Sequence, residues 1–95
     1  MATLHIEHAI SDFATWKSAF DRFAAKRLEA GVTGHRIYQP HDNPAYIIVQ
    51  LDFPTVPQAA TFLEFLQARI WSAPDNSPAL AGPPKGRVLI EPLGD

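Results

Sequence analysis

The sequence predicts an α+β fold in the order β-α-β-β-α-β: a four-stranded antiparallel sheet, strand order 4-1-3-2, with two helices on one face. Three observations carry this prediction. Apolar and polar residues alternate with period two in four short stretches, near 3–10, 32–39, 45–53 and 87–92. Two longer stretches, about 12–30 and 55–71, instead repeat their apolar residues every three or four positions. Gly- and Pro-rich breaks separate the pieces, and no internal repeat or low-complexity tract interrupts the order.

The first strand is read from 3–10, where Leu4, Ile6 and His8 alternate with Thr3, His5 and Glu7 and neither Gly nor Pro intervenes. Ser11 and Asp12 then supply a helix cap, and Phe13, Trp16, Phe20, Phe23 and Ala24 form the apolar stripe of a helix running to about Ala30. Lys26 and Arg27 fall in its last turns, where the negative end of the helix dipole favours cations, and Gly31 is the left-handed stop. Strands over 32–39 and 45–53 flank the segment Pro40-His41-Asp42-Asn43-Pro44, a turn short enough for an antiparallel hairpin. Thr55 and Gln58 fit a capping box, and Val56, Ala59, Phe62, Leu63, Leu66 and Ile70 make the stripe of a second helix ending near Trp71. Residues 72–84 hold four prolines without a period and read as an irregular loop, after which 87–92 closes the sheet. This is the ferredoxin-like arrangement, in one domain spanning 1–95.

Composition removes several function classes. Eight Lys plus Arg against ten Asp plus Glu gives a formal charge of −2, so the chain lacks the basic surface that a phosphate backbone requires. RNA binding on the sheet would also need exposed aromatics on the central strands, where Thr3, His5 and Glu7 stand instead. The absence of cysteine removes disulfides, thiolate metal sites and a cysteine nucleophile. No stretch reaches the roughly 18 apolar residues of a membrane span, and Met1 to Leu4 lack a basic-then-apolar leader, so the expectation is a soluble cytoplasmic protein. No serine lies in a Gly-x-Ser-x-Gly setting, and Gly82-Pro83-Pro84-Lys85-Gly86 cannot cradle phosphate because its prolines lack N–H donors.

Strand direction sorts the ends of the elements into two groups. The end holding the 40–44 turn and the 72–84 loop also holds His8, Trp16, Tyr38, Tyr46, Trp71 and Arg87, and a pocket is expected there. The sheet face turned away from the helices is mixed, with Tyr46, Ile48, Gln50 and Asp52 on one strand and Arg87, Leu89 and Glu91 on another. Such a face fits closure of two sheets against each other in a homodimer, and a short chain with one uncovered sheet face has reason to pair.

The motif His8-x3-Asp12-Phe13-x2-Trp16-Lys17 following a strand resembles a signature of small bacterial dimeric α+β barrel proteins. Gly31-Val32 leading to His35-Arg36, Leu51-Asp52-Phe53, Ala59-x2-Phe62-Leu63 and Ser77-Pro78-Ala79-Leu80-Ala81-Gly82 extend the likeness over almost the whole chain. The resemblance implies a ferredoxin-like dimer. It also implies membership of a superfamily that includes cofactor-free monooxygenases of antibiotic biosynthesis, polyketide cyclases and haem-degrading enzymes. An enzyme of the monooxygenase or cyclase type, acting without cofactor on an aromatic or polyketide-like molecule in a cavity of the dimer, is the function it points to.

The residues able to carry such chemistry are few. His8 can exchange a proton near pH 7, although its strand parity with Leu4 and Ile6 turns it toward the helices. His5 and Glu7, of opposite parity, can form an acid/base pair with Glu91 or Arg87 across the strand, and Tyr46 can donate to a developing oxyanion; His8, His5 and Tyr46 are the catalytic candidates. Arg36, Tyr38, Trp71 and Arg87 are the substrate-binding candidates. A hairpin centred on His41 and Asp42 pairs Tyr38 with Tyr46 and Arg36 with Ile48, while a one-residue slip would present His35 and Ile37 on that face instead. His5 and His8 point to opposite faces and cannot share a metal, and no cofactor motif is present. Trp16 follows the apolar stripe of the first helix and is expected in the core. The competing reading is a non-catalytic dimeric module that binds a small ligand or partner in the same cavity.

Overall fold

A computed structural model describes residues 1–92, and it has the predicted architecture. The chain runs β1 (Ala2–Ala9), α1 (Phe13–Arg22), α2 (Ala24–Ala30), β2 (Gly34–Tyr38), β3 (Tyr46–Phe53), α3 (Val56–Phe65) and β4 (Lys85–Ile90). The sheet order is β2-β3-β1-β4 with all neighbours antiparallel, which is the order 4-1-3-2 read from its other edge. All three helices lie on one face. There Leu4, Ile47, Leu51 and Phe53 are fully buried against Ala59 and Phe62, and alternation along β1 and β3 is strict. No helix among the described residues is long and apolar enough to cross a membrane.

The local signals act as the sequence indicates. Asp12 caps α1 by accepting the Thr15 N–H at 2.8 Å. Thr55 and Gln58 bond reciprocally at the start of α3, the Thr55 hydroxyl donating to Gln58 Oε1 at 2.9 Å. Gly31 ends α2 at φ 99°, a left-handed conformation that glycine adopts without penalty.

Three expectations need correction. The helix read as continuous from 12 to about 30 breaks at Phe23, whose φ of −99° and ψ of 15° are not helical. The Phe20 carbonyl is taken by the Phe23 N–H and by the Arg27 guanidinium, and a side chain inserted into the backbone ladder bends a helix. The 32–53 hairpin is also longer than read: Arg36 pairs with Gln50 and Tyr38 with Ile48, so Tyr38 and Tyr46 are not opposite each other. Pro40 and Pro44 have no N–H to offer a tight hairpin, and the connection is closed by Gln39 Nε2 donating to the Pro44 carbonyl at 2.9 Å. The shift is by two residues, so Arg36 and Tyr38 keep the face assigned to them. Finally, the last strand begins at Lys85, not Arg87, because Lys85 and Gly86 pair with Glu7 and Ile6.

The second long helix holds a further departure. After Phe65 the chain makes a π-helical turn, Leu66–Ile70, in which the Trp71 N–H donates to the Leu66 carbonyl at 2.8 Å. The wider turn keeps Leu66, Ile70 and Trp71 on the inner side of the helix end. Polar residues of the 72–84 loop then satisfy the carbonyls this end leaves open: Ser72 Oγ donates to Ala68 at 2.7 Å, Asn76 Nδ2 to Arg69 and Ser77 Oγ to Ile70, both at 2.8 Å. The loop does not hang free. Ser11 N–H donates to the Ala79 carbonyl, Ala81 N–H to that of Ala9, and Leu80 bridges Ile10.

Candidate active site

A cavity of about 90 Å³ lies inside the protomer, between the helices and the sheet. Its floor is Ile6, His8 and Val49 of the sheet. Trp16, Phe20 and Phe23 wall one side, and Phe62, Leu66 and Trp71 the other. The 76–80 segment closes it at the loop-rich end, where a pocket was expected. The cavity therefore does not lie on the open sheet face that a second copy would cover. The same close packing that gives a ferredoxin-like core leaves this gap, since the break at Phe23 and the π turn swing aromatic side chains around it.

Four polar residues line this apolar space; Asn76 and Ser77 are tied to the Arg69 and Ile70 carbonyls, and the other two, His8 and Arg27, are buried. His8 is 5% exposed, and its Nδ1 lies 2.9 Å from the Ala9 carbonyl. A carbonyl only accepts, so Nδ1 carries the proton and Nε2 of the neutral ring holds the free lone pair. Nε2 has no hydrogen-bond partner among the described residues, and no side-chain nitrogen is both unpartnered and sealed, so Nε2 opens onto free space. Burial pushes the His8 pKa below its ordinary 6.5, outweighing the bond to Ala9, which acts the other way. At neutral pH the ring is a base without a proton on its cavity-facing nitrogen.

Arg27 is the second. It is 8% exposed, its Nη1 donates to the Phe20 carbonyl, and its guanidinium sits 3.6 Å from the centroid of the Phe20 ring. The sequence reading placed Arg27 at a helix end as a dipole-stabilising cation and did not give it a site role. A signal was present: Arg27 continues the stripe Phe13, Trp16, Phe20, Phe23 and Ala24 at helical spacing, so a charge falls on an apolar face. Trp71, at the end of the π turn, lines the cavity as a wall. Its seat depends on Gly86 of β4, where a Cβ would stand 2.5 Å from Leu63 Cδ1 and 3.4 Å from Trp71 Cη2. Trp16, expected in the core, is 9% exposed and stacks on Phe20 at 5.0 Å.

The other candidates stand on the opposite face of the sheet. His5 Nε2 lies 2.9 Å from Glu7 Oε2, the Tyr46 hydroxyl donates to Glu7 Oε1 at 2.8 Å, and Gln50 reaches His5 Nδ1 at 3.3 Å. Arg36 makes a two-pronged ion pair with Asp52 at 2.8 and 2.9 Å and also donates to Gln50. The hydrogen bonds from His5 and then Tyr46 hold the Glu7 carboxyl below its ordinary 4.5, and the bond to Glu7 raises the Tyr46 phenol. Arg87 lies opposite His5 on β4, and Tyr38 stands exposed at the edge strand. The structure thus brings His8 and Trp71 together in the cavity and leaves His5, Tyr46, Arg36, Tyr38 and Arg87 on the open face. His5 and His8 point to opposite faces, and no cluster of three potential metal ligands occurs among the described residues.

No protein-family model matches the chain, and no curated protein matches it in sequence. Solved structures do match over nearly the full length. A proposed antibiotic biosynthesis monooxygenase from Nitrosomonas europaea superposes with a TM-score of 0.68 at 19% identity, covering 96% of this chain and 98% of the other. SnoaB, a cofactor-independent oxygenase from Streptomyces nogalater, gives 0.70 at 15% identity over 99% and 97%. A dimeric ferredoxin-like protein from an uncultured marine organism gives 0.59 at 5% identity over 97% of each chain. The chain accordingly has the ferredoxin-like fold that antibiotic biosynthesis monooxygenase-like proteins also adopt.

Proposed function

We propose that the protein is a cofactor-free enzyme of the monooxygenase or cyclase type, acting on a small aromatic or polyketide-like carbonyl compound, with His8 as its base. The observation that carries this reading is the unprotonated Nε2 of a buried histidine opening onto an apolar cavity. A base so placed can remove a proton from carbon beside a carbonyl, forming imidazolium and an enolate. The enolate then has two routes. Reaction of an activated CH2 with dioxygen gives a carbonyl and one water, and attack on a second carbonyl carbon of the same molecule closes a ring and returns the proton. The likeness in fold to a cofactor-independent oxygenase supports the first route.

We also propose that the working form is a homodimer closed over the open sheet face. Half-buried Ile48 and exposed Leu89 and Tyr38 lie there beside the His5–Glu7–Tyr46 and Arg36–Asp52 networks, and a dimeric protein shares the fold. In this reading the chemistry stays at His8, on the other side of the sheet, and the second copy supports the sheet.

The test is hydrogen–deuterium exchange at the α-carbon of small cyclic 1,3-diketones and phenolic ketones, followed by oxygen uptake. Wild type is expected to catalyse exchange and His8→Gln to lose it. If binding occurs without exchange, and His8→Gln binds within a few-fold of wild type, the protein is a ligand-binding module and not an enzyme.

A further inference from the structure

Arg27 is a buried cation with no anion of its own. It forms no salt bridge among the described residues, and its one hydrogen bond, to the Phe20 carbonyl, uses one of the five N–H donors a guanidinium carries. The closest help from a carboxylate is the longer-range field of Asp21, which is less than the cost of burial. A lone buried charge is unfavourable unless something pairs with it. The remaining donors are not sealed, because among the described residues no side-chain nitrogen is both shut off from free space and without a partner, and Arg27 borders the same cavity as His8.

We propose that Arg27 is the anion anchor of this cavity, and that the natural ligand is an acid or enolate whose oxyanion takes the free face of the guanidinium while its carbon framework rests on Phe20, Phe23 and Trp71. This rests on the cavity being the site, as proposed above, and names the charge its occupant carries. A neutral substrate would leave the guanidinium unpaired; an enolate formed at His8 would give it a partner as the charge appears. The free volume of about 90 Å³ is below the roughly 150 Å³ that admits a benzene ring, so a small aliphatic acid fits as the chain stands and a ring enters with movement of the 76–80 segment or Trp71.

The experiment is an NMR titration of the intact chain with propionate and benzoate against propionamide and benzamide, following the Arg27 Nε–H, His8 imidazole and Trp71 indole signals. The acids are expected to shift the Arg27 signal and to bind about tenfold or more tightly than the amides, the factor of one charge-assisted hydrogen bond. Arg27→Gln should bring acids and amides to equal affinity, and Arg27→Lys should keep part of the preference. If acids and amides bind alike and the Arg27 signal stays still in wild type, Arg27 only caps α1 and this inference fails while the cavity reading stands. An acid preference that survives Arg27→Gln overturns it equally. If none of the four moves the His8 or Trp71 signals, the cavity is not a site and both readings fall.

Discussion

The two sides of the sheet treat their polar side chains in opposite ways. On the open face, His5, Glu7, Tyr46, Gln50, Arg36, Asp52 and Thr3 form a continuous set of hydrogen bonds in which each group has a partner. On the covered face, His8 and Arg27 each make one bond and otherwise look into an apolar gap. A satisfied network stabilises a surface and resists further binding, because any ligand must first replace its bonds. Groups held out of water and left incomplete bind or react. Residue type alone would favour the open face, which has more of the chemically able side chains; the completeness of their bonding favours the other.

The largest expected contrast is in stability along a single strand. Phe53→Ala removes a fully buried ring packed on Phe62 at 5.8 Å, and should cost about 3–5 kcal/mol in chemical denaturation. Gln50→Ala, three residues earlier and facing the open side, should cost about 0.5 kcal/mol or less in the monomer. A dimer sealed over that face would show itself as a larger, concentration-dependent cost for the second substitution. The next effect is catalytic: His8→Gln should lower carbon-acid exchange by about 10²–10⁴-fold, whereas His5→Gln, on the satisfied face, should leave it within a few-fold. Equal losses would move the chemistry to the open face and reverse the comparison. Gly86→Ala comes third. The added Cβ must displace Leu63 and press on Trp71, costing about 1–3 kcal/mol and weakening ligand binding through the shifted wall.

What was legible in the chain follows the same division. Period-two alternation in β1 and β3 assigned each side chain to its face, and Asp12, Thr55 and Gly31 marked helix ends through bonds made within a few residues. The hairpin shift left the face of Arg36 intact because parity survives a displacement by two. The break at Phe23 was hidden, since it needs the Arg27 side chain to reach back to Phe20, a contact that helical spacing does not announce. The π turn and the docking of Ala79 and Ala81 on the end of β1 are likewise set by distant partners. The inward orientation of His8 follows from strand parity; the cavity it lines within the chain does not, because a gap within a well-packed layer leaves no trace in composition.

Acid titration separates the faces once more, with smaller effects. His8 is kept neutral by burial, so its folded pKa lies below the ordinary 6.5. Unfolded chains bind that proton first, and stability contributed by the neutral ring is present above pH 6.5 and lost as pH falls through the folded value. Glu7 and Asp52 have lowered folded pKa values, so their contribution is present above their ordinary 4.5 and 3.8 and is lost only below these, as the carboxyls protonate. Denaturation midpoints should therefore begin to drop below pH 6.5 in wild type, and His8→Gln should remove that early fall while leaving the later one. Tyr46→Phe gives the smallest change: it deletes the lesser of the two hydrogen bonds that lower Glu7, so the Glu7 carboxyl should titrate higher than in wild type but still below 4.5, held by His5. A Glu7 that returns fully to 4.5 in this variant would mean that the His5 bond depends on Tyr46, and that the open face acts as one cooperative network rather than a set of independent pairs.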